Sequence, residues 1–169
     1  MKLQIFFAVI ISGGIILSLF SCGRILISDE KIPEQGIKKI VKAINENDNT
    51  QLKELFAKQI ITDELEKEIE YLMQIFPCAT ICEMNQGLFI EETNDYGSIC
   101  KKATYGYVIE SNCQKYSFYI IEALHDTKNK QNEGIHSILI NKIEDDEPFT
   151  EWLKSQEFVP VGIYLYNID

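Results

Sequence analysis

The chain has 169 residues, of which 46% are hydrophobic, and carries 16 basic against 26 acidic side chains for a formal charge of −10. That length and apolar content suit one domain with a proper core. The acidic balance, with no cluster of lysine or arginine, excludes the electrostatic footprint of a nucleic-acid binder.

The first predicted element is apolar. After Met1-Lys2 the chain runs through Ile5 to Ile11, Ser12-Gly13-Gly14, and Ile15 to Phe20, a basic tip followed by a hydrophobic stretch. The stretch is shorter than the roughly 20 residues of a comfortable membrane span, and the paired glycines weaken it as a permanent helix. It closes on Leu19-Phe20-Ser21-Cys22-Gly23. Leucine at −3, serine at −1 and glycine at +2 around Cys22 resemble the lipobox of bacterial lipoprotein signal peptides. In that class the cysteine sulfur takes a diacylglycerol, the small residue before it admits the peptidase, and the upstream leucine fills an apolar site. The resemblance implies a signal peptide over 1–21, lipidation of Cys22, and a mature protein held by palmitate-type chains on the outer face of the cell membrane. Each buried lipid methylene is worth about 0.8 kcal/mol, so two or three chains give stable attachment.

Removal of residues 1–21, which hold one base and no acid, leaves 148 residues with a net charge of −11. Residues 22–33 read as a tether and 34–169 as a single α+β domain, with 147–169 forming a tail. Ile37, Ile40, Val41 and Ile44 recur at helical spacing. Asp48 and Gln51 form a capping-box pattern for a short second helix carrying Leu52, Leu55 and Phe56. Thr62 caps a third helix with Leu65, Ile69, Leu72, Met73 and Phe76 on one face, which Pro77 stops.

The period then changes to 2. A first strand is predicted over Ala79 to Glu92, with a bend at Gly87 and a turn at Thr93 to Gly97. A second alternates through Ala103, Tyr105, Tyr107 and Ile109, and a turn at Ser111-Asn112 leads into a third, Tyr116 to Ala123. A polar loop, His125 to Gly134, precedes a fourth strand from Ile135 to Ile143. The tail holds a helical turn around Trp152 and Leu153, then an edge strand within Phe158 to Tyr166, where Pro160 is tolerated only at an edge. Consecutive strands joined in this way favour an antiparallel sheet. The fold class is therefore α+β, with N-terminal helices packed on a curved antiparallel sheet.

Three helices followed by such a sheet resemble the nuclear transport factor 2-like superfamily, the α+β cone shared with ketosteroid isomerases. "VKAINENDNTQLKELFAKQI" and "GIHSILI", taken with the lipobox, resemble a group of uncharacterised lipoproteins of Gram-positive bacteria with that fold, over roughly residues 34 to 145. The resemblance brings no established activity. It implies a pocket between helices and sheet, which Tyr105, Tyr107, Tyr116, Phe118, Tyr119 and His136 would line. Isomerases of the superfamily pair a buried carboxylate with a tyrosine; here the sequence supplies tyrosines but no assignable carboxylate.

Cys78, Cys82, Cys100 and Cys113 lie in the mature part, where an oxidising location permits disulfides with three connectivities open. A four-cysteine zinc site lacks a second close pair. His125 and His136 stand in no metal-binding or triad spacing, and Asp126 reads as a residue of a solvated turn. The run Glu144 to Glu147 lacks the alternating oxygen ligands and glycine of a calcium loop. No catalytic residue, metal or cofactor is expected. The reading that follows is a lipid-anchored protein that binds a small ligand or an envelope partner without catalysis. The alternatives are a pocket enzyme of ketosteroid-isomerase or dehydratase type and an immunity-like protein against a basic toxin.

Overall fold

The computed structural model describes residues 31–83, 88–143 and 161–166. Helix α1 spans Lys31–Glu46, and Ile37, Ile40, Val41 and Ile44 form its buried side, as an apolar stripe of helical period requires. It begins inside the expected tether. Pro33 fits there because the first turn of a helix leaves its N–H groups without intrahelical partners anyway. Asn47 follows the helix at a φ of 51°, a left-handed conformation asparagine tolerates. Asp48 then accepts the N–H of Gln51 at 2.8 Å and opens α2, Asn49–Lys53. Leu55 and Phe56 lie beyond α2, and Phe56 makes an isolated parallel bridge to Ile135. After a 3-10 turn at Lys58–Ile60, the Thr62 hydroxyl accepts the N–H of Leu65 at 3.2 Å and caps α3, Asp63–Ile75. Asp63, Glu64 and Glu66 in its first turn complement the positive end of the helix dipole.

The strands are β1 (Thr80–Glu83), β2 (Leu88–Asp95), β3 (Ser98–Ser111), β4 (Gln114–Asp126), β5 (Gly134–Lys142) and β6 (Gly162–Tyr166). They form one sheet in the order β1-β3-β4-β5-β6, with β2 also paired to β3. The strand expected over Ala79 to Glu92 is thus two pieces along one neighbour. Thr93 to Asp95, expected in a turn, continue β2 by pairing with Cys100 to Ser98. The turn is only Tyr96-Gly97, both at positive φ, and the next is Asn112-Cys113, also both positive, the backbone pattern that matches the twist of a two-residue hairpin.

The expectation of a wholly antiparallel sheet fails at β6, which pairs parallel to β5. The connection from Lys142 to Gly162 exceeds the dozen residues a parallel crossover needs, whereas every earlier connection within the meander is short. The sheet is therefore mixed, curved and unclosed. The expected bend at Gly87, the helical turn around Trp152 and Leu153, and the run Glu144 to Glu147 lie outside the described residues.

Three register shifts account for the curvature. Cys82 on β1, Leu124 on β4 and His136 on β5 are each an extra residue in their ladders, and bulges of this kind bend a strand and raise its twist. The core fills the space between helices and sheet: Ile37, Ile40, Ile44, Leu52, Leu72 and Phe76 meet Tyr105, Ile109, Phe118, Ile120, Ile138 and Ile140. Gly134 joins the two layers. It sits at a φ of 128°, and a Cβ there would lie 2.8 Å from the Ala57 nitrogen. That close approach allows Ile135 to exchange backbone hydrogen bonds with Leu55 and Ala57 at 2.9 and 3.0 Å.

Candidate functional site

Alternation along β4 sends Tyr116, Phe118, Ile120 and Glu122 to the helix side of the sheet. Glu122 pairs with Ala103 and Ile120 with Tyr105, so Tyr105 and Glu122 are diagonal neighbours across two strands, a spacing long side chains bridge. The Tyr105 hydroxyl donates to Glu122 Oε2 at 2.7 Å. Tyr105 is fully buried and Glu122 half-buried. Gly36 of α1 closes over them: a Cβ at that position would lie 2.4 Å from the Tyr105 hydroxyl and 3.6 Å from Glu122 Oε2.

The electrostatics follow from this enclosure. Burial pushes the Glu122 carboxyl up from its ordinary range, while the Tyr105 hydrogen bond and the nearby Lys39 ammonium pull it back. Burial, then the charge and hydrogen bond of Glu122, push the Tyr105 phenol well above the usual tyrosine range, so its hydroxyl remains a donor. Burial, followed by Glu34, also raises Tyr107. Chemically, the pair is a carboxylate with an elevated proton affinity held by a fixed hydroxyl donor.

Of the residues expected to line a pocket, four gather on this side of the sheet. Tyr105 and Tyr107 meet edge to face with centroids 6.1 Å apart, and Phe76 makes similar contacts with Tyr116 and Phe118 at 4.8 and 5.3 Å. Tyr105, Tyr107 and Phe118 are buried in this packing, as core residues. Tyr119 falls between Phe118 and Ile120 and so belongs to the opposite face of the sheet, with Gly106 and Leu139 as its cross-strand partners. His136 is the bulge residue of β5, and its Nε2 lies 2.8 Å from the Asn132 carbonyl, a contact that ties the strand to the preceding loop. Two surface clefts, one between α2 and α3 and one between α3 and β6, hold about 160 and 110 Å³, below the roughly 300 Å³ at which ligand pockets begin.

Asp126, read from sequence as part of a solvated turn, is only 8% exposed. It accepts the N–H groups of Lys128 and Asn129 at 2.9 Å each and the Asn132 amide at 2.7 Å, bonds that hold its carboxyl below the usual range. Gln59 reaches Asn129 and Asn132 from the 3-10 turn. His125 faces Glu133 at 3.1 Å. The loop is an organised cap on the end of β4.

The four described cysteines are free thiols. Cys100 pairs with Thr93 and Asp126 near the start of β3, whereas Cys82 lies beside Val108 and Ile109 and Cys113 sits at the far turn. At about 3.3 Å per residue, Cys100 is some 25 Å or more from both, beyond the Cα separation of about 7 Å that a disulfide spans. Cys22 lies outside the described residues. Among the described residues, no group of three His, Cys, Asp or Glu side chains could hold a metal ion, and no helix is long and apolar enough to cross a membrane.

Sequence reasoning missed Glu122. The signal was present in the parity of "YSFYIIEAL", where a glutamate continues the inward series of Tyr116, Phe118 and Ile120.

Residues 39–147 match the model of DUF5104, a domain of unknown function, and the chain belongs to that family. A comparison with curated proteins gives no match.

Proposed function

We propose that the chain is an extracytoplasmic lipoprotein of a Gram-positive bacterium, held on the outer face of the membrane by lipid on Cys22. Its mature domain is a nuclear transport factor 2-like cone that binds a small ligand or envelope partner without catalysis. The lipobox around Cys22 supports the anchor, and helices covering one face of a curved sheet support the cone. The observation that carries the choice of binding over catalysis is the closure at Gly36. Helix backbone stands over the Tyr105–Glu122 pair so closely that a Cβ would collide with the hydroxyl, and Tyr105, Tyr107 and Phe118, which would line a cone pocket, are packed as core. A general base must reach the proton it abstracts at about 2.6–3.2 Å. Here the hydroxyl of the protein's own tyrosine occupies that position.

Growth of the native protein in a Gram-positive host with labelled palmitate should give labelled protein whose intact mass fits a chain beginning at Cys22 plus diacylglycerol. Cys22→Ser should abolish the label and retain the signal. An unlabelled native protein that keeps Met1 to Ser21 overturns the anchor.

One observation favours a second reading. A half-buried carboxylate of raised proton affinity next to a tyrosine donor is the combination that isomerases of the cone superfamily use, with Glu122 as base and Tyr105 as donor. Proton exchange at the carbon beside the carbonyl of an added β,γ-unsaturated ketone, abolished by Glu122→Gln, would select the enzyme; no exchange above the buffer rate leaves the binder.

A further inference from the structure

The outer faces of α1 and α3 carry opposite charge. Lys31, Gln35, Lys38, Lys39 and Lys42 are exposed on α1, and Lys31, Lys38 and Lys42 are seven and four residues apart, which places them along one stripe of the helix. The acids of this helix are Glu34, 2.5 Å from Lys38, and Glu46, 3.8 Å from Lys42. Exposed pairs of this kind are weak in water, so four lysines against two glutamates leave the helix a positive surface. On α3 the exposed side chains include Asp63, Glu64, Glu66 and Glu70, with Lys67 the single base of that helix. The asymmetry extends beyond the helices. Residues 47–169 hold 10 of the 16 basic and 22 of the 26 acidic side chains, a net −12.

The positive helix is also the element next to the anchor. Eight residues separate Cys22 from Lys31, and at full extension they reach about 30 Å, so the start of α1 is confined near the surface that holds the lipid. An anionic bilayer attracts each lysine close to it by a useful fraction of its binding energy. It repels the acidic remainder, and both forces act only within a Debye length of about 8 Å at physiological salt. Turning the outer side of α1 toward the lipid head groups brings Lys31, Lys38 and Lys42 within that layer. An orientation that turns α1 away from the bilayer loses that attraction.

We propose that the outer lysine face of α1 lies against the anionic lipid head groups of the membrane that carries the Cys22 lipid, and so orients the domain on that surface. The proposal rests on the lipid-anchor reading. Its occupant is fixed by charge and by the short tether: a bilayer surface rich in anionic lipid. Contact of this kind adds a second, electrostatic attachment to the lipid, the combination by which chain-anchored proteins achieve stable residence.

The test uses the full lipidated chain, its intact mass first shown to include diacylglycerol, on vesicles of phosphatidylglycerol and on vesicles of phosphatidylcholine. Lysines are acetylated under limiting reagent and the modified peptides quantified. Lys31, Lys38 and Lys42 should react about five-fold more slowly on phosphatidylglycerol than on phosphatidylcholine, with Lys53, Lys58 and Lys67 unchanged and the difference erased in 1 M salt, where the Debye length falls to about 3 Å. Equal rates on the two lipids, or equal slowing of all six lysines, in a chain of lipidated mass overturn the orientation alone. Slowing at α1 on both lipids that grows with protein concentration assigns the face to a second copy of the chain and also overturns it. A mass without lipid overturns the anchor and this proposal with it.

Discussion

Helices α1 and α3 are built on the same plan and lie in the same core, yet they differ in what they do with polar groups. Each buries an apolar stripe, Ile37 to Ile44 in one and Leu65 to Met73 in the other. On the inner side of α1, Gly36 leaves room for a polar pair supplied by the sheet. On α3 the helix supplies the polar group itself: Glu68 accepts the N–H of Ile163 at 2.9 Å, satisfying a backbone donor at the first residues of β6. Burial, and then Glu64, raise that carboxyl, while the Ile163 hydrogen bond opposes the rise. The difference teaches that an apolar stripe decides which way a helix faces but leaves its polar side free to serve different ends.

The strongest way to break the comparison is to attack the shared plan. Ile40 and Leu72 are fully buried at the two helix–sheet contacts, and Ile40→Ala and Leu72→Ala should each lower unfolding free energy by about 2–5 kcal/mol, through lost transfer energy and the cavity left behind. Urea unfolding followed by far-UV circular dichroism measures both. A loss under about 1 kcal/mol at either site would mean that the helix does not pack as described.

Gly36 separates the two helices more sharply. Alanine is better than glycine inside a helix by about 1 kcal/mol, but here its methyl would strike a hydroxyl that Glu122 holds in place, and overpacking of this kind costs about 1–3 kcal/mol. Gly36→Ala should therefore destabilise the native protein. In a Tyr105→Phe background, which removes the obstructing atom, the same substitution should be neutral or stabilising. A double-mutant cycle reads the coupling directly, and additive effects would show that the helix does not close on the pair.

Sequence made α2 and α3 legible because their starts carried chemical signals as well as periodicity: Asp48 and Thr62 cap them as their side chains predict. It missed the helical start at Lys31, where Pro33 reads as a breaker unless it falls in the first turn. The strands were legible by their alternation, but their ends were not. Thr93, Asn94 and Asp95 have turn composition and still pair, because β3 offers them a ladder. Pairing of β6 with β5 depends on distant partners, and nothing local announces its direction. At the candidate site Tyr105 was named from the sequence and Glu122 was not, since a lone glutamate in a strand reads as an outward residue until the parity of its neighbours is followed. Tyr119 failed for the same reason in reverse: it was chosen by residue type, while parity puts it on the other face.

The charge state of Glu122 gives a smaller effect with a definite sign. Its carboxyl is raised in the folded protein, mainly by burial, so folding favours the protonated form. The corresponding stability is fully present below the carboxyl's unfolded value and is lost as pH rises through the higher folded one. Glu122→Gln keeps an oxygen that can accept from Tyr105 and has no proton to lose. The stability of this variant relative to the native protein should therefore increase as pH rises from about 4 toward 7, as measured by urea midpoints across that range. A flat difference would remove the buried-carboxylate account, and a difference of opposite slope would mean that Lys39 and Tyr105 outweigh desolvation.

The smallest expected effect concerns the outer faces, where the helices differ most in charge. Lys42 and Glu70 are both exposed, Lys42 with only a 3.8 Å contact to Glu46. Reversing them, by Lys42→Glu or Glu70→Lys, should change stability by less than about 0.5 kcal/mol, because exposed charges interact through water and are screened by salt. Thermal melts at low and moderate salt provide the measurement. If Lys42→Glu instead costs more than about 1 kcal/mol in the free domain, the lysine stripe is maintained for the fold, and its use against a membrane loses its rationale. A near-zero cost leaves the stripe without a structural reason, as expected of a surface whose charge is set by what the helix faces.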